Sequence, residues 1–154
     1  MDDIDVGILN VLQGNSKASL GEIGKEVSLS PSSVGERIKK LESSGVISKY
    51  TTILDGTKFG KQLSAYMFIS LDSPKYIDSF IEFVKQEDDI LECHYLAGNY
   101  DYIIKIITHN PSSLEKLLNR IKSVSGIAKT YTNVILGTSK SIHSVKPSIV
   151  EEKN

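Results

Sequence analysis

The sequence has little cysteine and no long apolar run, and each of these absences excludes a class of protein. Its 154 residues contain a single cysteine, Cys93, which cannot form a disulfide within the chain or belong to a four-cysteine zinc site. The most apolar stretch, YIIKIIT, is short and is interrupted by Lys105, so no segment is predicted to span a bilayer. These features favour a globular protein of a reducing, cytoplasmic setting.

An excess of charge of one sign is also missing. The chain has 18 basic and 19 acidic residues, a net charge of −1. This balance argues against a histone-like protein that coats DNA by bulk charge, but it leaves room for a local basic face. The first ten residues carry three aspartates and no basic residue, unlike a signal or transit peptide.

Within a predicted domain of residues 1–50, residues 1–47 are expected to form three short helices, because apolar residues recur there at helical spacing. The third helix has the clearest ends. Ser30 is a natural N-cap, Pro31 occupies the first helical position and Gly45 ends the helix. Two helices joined by a tight turn, the second with a polar and basic outer face, are typical of a helix-turn-helix DNA-binding domain.

The face of the third helix opposite Val34 carries the residues predicted to contact DNA. They are Ser32, Ser33, Glu36, Arg37, Lys39 and Lys40, of which Arg37 lies nearer the buried stripe. Serine hydroxyls near the helix N-terminus can donate or accept at either type of base pair, while Lys39 and Lys40 suit phosphates. Spacing alone equally permits a small three-helix domain with a solvated charged face.

Residues 63–138 contain an internal repeat of a β-α-β unit with an offset of 36 to 37 residues. Strands are predicted at 66–71, 90–96, 102–107 and 127–136, with helices that begin at Pro74 and Pro111. A βαββαβ order predicts a ferredoxin-like fold, an antiparallel sheet with both helices on one face. The whole chain is therefore expected to be α+β, with a winged-helix-like N-terminal domain, a strand and linker over 51–62 and a loosely held tail over 139–154.

The sheet face without helices is predicted to be too apolar for water. Its residues would include Tyr66, Phe68, Ile104 and Ile106 or their neighbours. A second copy of the chain is the simplest cover for such a face, so a homodimer is expected.

The turn between the middle strands is a candidate ligand site. Backbone N–H groups around Gly98 and Asn99, next to Tyr100, can hold a carboxylate, and Asp101 can pair with an ammonium group. Thr132 on the last strand can supply a hydroxyl. The alternative is a plain connecting turn in which Asp101 accepts backbone N–H bonds.

No catalytic residue, metal site or cofactor is predicted. Cys93 and His94 are adjacent on a predicted strand and face opposite sides, while His109 and His143 show no ligand spacing. No G-x-S-x-G, P-loop or H-E-x-x-H pattern is present in the sequence.

Three stretches together resemble the leucine-responsive regulatory protein/AsnC family, also called feast/famine regulators. The helix-turn-helix of that family resembles the stretch SLGEIGKEVSLSPSSVGERIKKLESSGVISKY. The glycine–x–x–aspartate turn of its ligand-binding half resembles the stretch YLAGNYDYIIKI. TYTNVILGTSK resembles its final strand, with Thr132 and Lys140 at the threonine and closing lysine positions. The resemblance covers about residues 3 to 140. Ala97 departs from it, since the family often has threonine there.

The resemblance implies a DNA-binding half, a βαββαβ half that dimerises through its sheet, and small effectors that are usually amino acids. The leading hypothesis is thus a transcription regulator that binds double-stranded DNA. Its dimers would assemble further, to octamers for instance, under control of an effector near Gly98–Asp101 and Thr132. Two alternatives remain: a metabolite-binding module or small enzyme on a ferredoxin-like fold, and an architectural protein that compacts DNA.

Overall fold

The computed structural model of the chain describes residues 1–149 and divides into two compact units. The first combines residues 1–53 with the C-terminal segment from Lys140, and the second is Leu54–Ser139. The chain therefore passes between the units twice, after Ile53 and after Ser139. Among the described residues, no helix is long and apolar enough to cross a membrane.

The first unit is built from three helices, as the sequence predicts. They are α1 (Asp3–Gly14), α2 (Leu20–Val27) and α3 (Pro31–Ser43). Each begins at a side-chain N-cap, supplied in turn by Asp2, Ser19 and Ser30. The apolar stripes of the three helices meet in one core, formed by Ile8, Ile23, Val34 and Leu41.

The strand predicted after α3 is not formed in the described part of the chain. Gly45 ends α3 with a φ of +76°, and residues 46–55 have no regular secondary structure. A short 3-10 helix, Gly56–Phe59, follows. A strand needs a neighbouring strand to pair its backbone groups, and no strand of residues 1–149 pairs with this segment.

The C-terminal segment contacts α1 more specifically than a loosely held tail would. Gln13 Nε2 donates to Ser144 Oγ at 3.1 Å and to the Val145 carbonyl oxygen at 2.7 Å. These bonds explain why residues from Lys140 belong to the first unit. Residues 150–154 of the predicted tail lie outside the described residues.

The second unit is the predicted βαββαβ fold. Its elements are β1 (Leu63–Leu71), α4 (Ile77–Gln86), β2 (Ile90–Tyr95), β3 (Tyr102–Thr108), α5 (Pro111–Lys122) and β4 (Ile127–Ile135). The four strands form one antiparallel sheet in the order β2-β3-β1-β4. This is the order of a ferredoxin-like fold, so the prediction of the fold class is confirmed.

One face of the sheet is covered by the two helices and the other is open. Met67 and Ile69 of β1 are fully buried among helix residues, whereas their neighbours Tyr66 and Phe68 lie on the opposite, half-buried face. The alternation of β3 decides between Ile104 and Ile106 and their neighbours, which the sequence left open for this face. Ile104 and Ile106 are buried on the covered face, because they stand in register with Met67 and Ala65. Their neighbours Ile103 and Ile107 take the places on the open face.

Candidate nucleic-acid interface and ligand turn

The local sequence explains why α3 shows a polar face to solvent. Ser30 caps the helix by accepting the Ser33 backbone N–H at 3.2 Å, and Pro31 follows at the first position. Val34 and Leu41 are buried in the core of the first unit, which turns the opposite side of α3 outward. The exposed residues on that side are Ser32, Glu36, Lys39 and Lys40, with Ser33 half-buried beside them.

Two of these residues offer free positive charge. Neither Lys39 nor Lys40 forms an ion pair with any residue that the structure describes. At the start of the helix, the Ser30 hydroxyl lies 3.0 Å from that of Ser32 and 2.9 Å from that of Ser33. The exposed side of α3 thus combines hydroxyl groups at its N-terminus with two unpaired ammonium groups further along.

Arg37 has a different environment. Its Nη1 donates to Asp2 Oδ1 and Oδ2 at 2.9 and 2.8 Å and to Asp5 Oδ1 at 2.8 Å. The carboxylates of Asp5 and Asp2 raise the pKa of the guanidinium. The pKa of Asp2 is lowered, first by the Asp5 backbone N–H and then by Arg37. The structure therefore groups Arg37 with α1 and separates it from the unpaired lysines.

The ligand turn is closed by Asp101 at three points. Its backbone N–H donates to the Ile69 carbonyl at 2.9 Å, its carbonyl accepts the Leu96 N–H at 2.7 Å, and its Oδ2 accepts the Leu71 N–H at 2.7 Å. The last bond is the one that the plain-turn alternative predicts. A small cavity of about 80 Å³ adjoins the same side chain. It is lined by Leu71, Ser73, Pro74, Ile77, Tyr95, Asp101 and Tyr102.

The other predicted site residues are divided between the two faces of the sheet. Gly98 and Asn99 are exposed in the turn. The Tyr100 ring lies 5.5 Å from the ring of Phe68 on the open face, with Lys129 Nζ 5.2 Å from its centroid.

Thr132 pairs with Met67 of β1, on the covered face. Asp101 lies on the opposite side of β1, just before Tyr102, which pairs with Ile69. It therefore stands three residues further along β1 than Thr132. The spacing between strands and the rise per residue then place the Cα atoms of Thr132 and Asp101 about 14 Å apart.

The prediction that Cys93 and His94 face opposite sides is confirmed. Cys93 pairs with Ile104 on the covered face and His94 with Ile103 on the open face. Burial raises the pKa of the Cys93 thiol. Residues 1–149 contain no group of three or more His, Cys, Asp or Glu side chains arranged to hold a metal ion.

Sequence reasoning missed two features of these sites. It did not find Asp2 and Asp5 as the partners of Arg37, although their spacing of three residues at a helix start is the pattern of a capping box. It also missed Ile77, Tyr95 and Tyr102 beside Asp101, which come from three separate elements. No local pattern in the sequence joins these three.

Comparison with known proteins decides the family. The AsnC-type helix-turn-helix domain model matches residues 1–42, and the Lrp/AsnC ligand binding domain model matches residues 64–145. The second of these alone spans more than half of the chain. The chain belongs to the Lrp/AsnC family.

The relatives of this Lrp/AsnC protein agree with that assignment. The HTH-type transcriptional regulator FL11 of Pyrococcus abyssi is 39% identical over 140 residues, covering 91% of this chain and 92% of its own length. AsnC of E. coli matches with a TM-score of 0.87 at 26% identity, over 96% of this chain and 99% of that one.

The transcriptional regulator NMB0573 of Neisseria meningitidis, solved as a complex with L-Met, matches with a TM-score of 0.89. It is 26% identical, over 94% of this chain and 96% of its own. The Lrp/AsnC protein is therefore a DNA-binding transcriptional regulator with a ligand-binding domain, and not an enzyme.

Proposed function

We propose that the outer face of α3 reads double-stranded DNA in a sequence-specific manner. Ser32 and Ser33, with Glu36, would meet base edges near the N-terminus of the helix, while Lys39 and Lys40 bind phosphates. The observation that carries this proposal is the pair of exposed lysines without ion-pair partners among residues 1–149, on the same helix face as the exposed Ser32.

We further propose a homodimer formed through the open face of the sheet, with assembly to larger oligomers such as octamers. Phe68 lies at the centre of an aromatic group on this face, 5.5 Å from the ring of Tyr100 and 6.4 Å from that of Tyr131. Tyr131 is 55% exposed in the single chain. Two α3 helices related by the two-fold axis of a dimer would then read the two halves of a roughly palindromic site.

An amino acid is the effector that the ligand turn suits best. Asp101 can accept an α-ammonium group, and the exposed backbone around Gly98 and Asn99, beside Tyr100, can donate to an α-carboxylate. The small cavity beside Asp101 has a mixed lining, in which Leu71, Pro74 and Ile77 could contact an apolar side chain of the effector. The L-Met bound to the meningococcal relative supports this class of ligand.

The effector site is further proposed to lie between subunits. The separation of about 14 Å between the Cα atoms of Asp101 and Thr132 in one chain supports a Thr132 that is supplied by another subunit. Effector binding would then change how dimers associate, and thereby which DNA sites are occupied together. The coupling between effector and DNA is reciprocal, so DNA must alter effector affinity by the same factor.

Thermal unfolding in the presence of each of the twenty amino acids tests the effector proposal. At 100 times its dissociation constant, the correct amino acid should stabilise the wild type by about 2.7 kcal/mol. Asp101→Asn keeps an oxygen that can accept the Leu71 N–H but removes the negative charge, so it should fold normally and lose this stabilisation. Asp101→Ala should also lower the unliganded stability by about 1–3 kcal/mol, because a backbone donor loses its acceptor.

The matched control is Asp72→Asn, which removes one charge from an exposed neighbour of β1 that does not line the cavity. It should keep the full stabilisation. If Asp101→Asn responds as strongly as Asp72→Asn, Asp101 is only a turn residue and the effector binds elsewhere. If no amino acid stabilises the wild type, either the effector belongs to another class of metabolite or the protein regulates without one.

A further inference from the structure

The groove beside α3 is bordered by acidic groups that the proposed reading of DNA does not use. Asp2 and Asp5 share it with Ser33, Glu36 and Lys40, three residues of the predicted DNA-binding face. The side chain of Asp5 is 14% exposed, that of Arg37 31% and that of Asp2 53%, so the Arg37–Asp5 contact is part-buried and the Arg37–Asp2 contact is open to solvent. A contact so close to the DNA-binding face can affect how that face is presented.

The two aspartates are themselves held in place by α1. Asp2 is the N-cap of this helix, where its Oδ1 accepts the Asp5 N–H at 2.9 Å. Asp5 Oδ2 in turn accepts the Asp2 N–H at 3.1 Å. Beside this reciprocal pair, Asp2 Oδ2 and Asp5 Oδ1 accept from Arg37 Nη1, both at 2.8 Å, and Asp2 Oδ1 also accepts from it at 2.9 Å. The first turn of α1 is therefore connected to the middle of α3 through one nitrogen atom.

We propose that Asp2 and Asp5 are positioning residues for DNA binding, which fix the orientation of α3 on α1 by holding the Arg37 guanidinium. Arg37 then acts on DNA only through the placement of α3. This role differs from the direct DNA contact that the sequence predicts for Arg37.

Charge supports the positioning role. Two carboxylates against one guanidinium leave the cluster with a net charge of −1, which does not attract a phosphate. Of the two lysines without an ion-pair partner among the described residues, Lys39 does not line this groove, whereas Lys40 borders it. DNA is thus expected to lie toward Lys39 and away from the first turn of α1.

The full-length protein with variants Asp5→Asn and Arg37→Ala tests this inference, with DNA affinity measured over a range of salt concentrations. We expect each variant to bind all DNA sequences about 3- to 30-fold more weakly, because a smaller fraction of the molecules has α3 in the orientation that binds DNA. The slope of log affinity against log salt should not change, because every phosphate remains bound as in the wild type. The double variant should be no weaker than Arg37→Ala alone, and Arg37→Lys should restore part of the affinity.

Asp3→Asn is the matched control, because Asp3 is exposed in the same first turn of α1 and forms no ion pair with a described residue. It corrects for the general effect of removing one negative charge near DNA. Thermal unfolding of each variant shows whether it is folded at the temperature of the binding assay. Should Arg37→Ala unfold, Asp5→Asn and Arg37→Lys still provide the test.

Direct phosphate binding by Arg37 predicts changes of affinity and salt slope in the opposite direction. If Arg37 binds phosphate directly, Asp5→Asn should release it, so that affinity rises and the salt slope becomes steeper than in Asp3→Asn. Arg37→Ala would then flatten the slope by about 0.9 for each phosphate that is no longer bound. Either result, or unchanged affinity in all the variants, would overturn the positioning role. The inference rests on the proposed DNA-binding face of α3; if the wild type itself fails to bind DNA, that proposal has failed, whereas unaltered variants refute the positioning role alone.

Discussion

Replacing both Lys39 and Lys40 by alanine should abolish most DNA binding. The double variant would lose four phosphate contacts in a dimer. The slope of log affinity against log salt concentration should therefore become shallower by about 3 to 4. In the counterion-release picture this corresponds to roughly a thousandfold weaker binding at about 0.1 M salt. The loss should be nearly equal for all DNA sequences, because phosphate contacts carry no sequence information.

The charge-matched control is the double variant Lys116→Ala and Lys122→Ala, whose lysines are exposed on α5 of the second unit. It changes the net charge of the chain by the same amount. Binding to a labelled DNA fragment, titrated at several salt concentrations, separates the two variants. If the α5 variant loses as much affinity and slope as the α3 variant, only the overall charge matters and α3 is not the binding element.

Phe68→Asp should convert the dimer to a monomer. Phe68 packs between Tyr100 and Tyr131 on the open face, so a carboxylate there would be buried without a partner, once in each subunit. We expect the dimer dissociation constant to rise at least about a thousandfold, which is roughly 4 kcal/mol. DNA affinity should fall as well, because one subunit reads only one half of the site. Light scattering across micromolar concentrations measures the change.

The fold itself should survive this substitution. The covered core of Met67, Ile69, Ile104 and Phe80 lies on the other side of the sheet and is not altered. Phe59→Asp provides the control, since Phe59 is an exposed aromatic residue of the 3-10 helix and not of the sheet. A Phe68→Asp protein that is folded and still dimeric at micromolar concentration would place the interface elsewhere.

Local sequence patterns account for most of the fold. Ser30, Pro31 and Gly45 mark the ends of α3 because capping and positive φ depend on residue types within a few positions. The internal repeat places all four strands and both long helices of the second unit within a few residues. Alternation along β1 also assigns Tyr66 and Phe68 to the open face.

The features that the sequence could not predict depend on residues far apart in the chain. Arg37 lies 35 positions from Asp2, and a helical wheel shows only that it stands near the buried stripe. The register of β3 against β1 decides that Ile103 lies on the open face and Ile104 on the covered face. A shift of this register by one residue would move every side chain of β3 to the other face. Resemblance to the family groups Thr132 with Asp101, while the distance between them depends on the whole sheet.

The central claim is that the exposed face of α3 reads base sequence, and selection of bound DNA from a random pool tests it most directly. The wild type should enrich an inverted repeat of two half-sites. Ser32→Ala should alter the preferred base at one position, in the same way in both halves, with little loss of overall affinity because Lys39 and Lys40 remain. An unchanged base preference in Ser32→Ala and Ser33→Ala, or no enriched repeat with the wild type, would contradict the account.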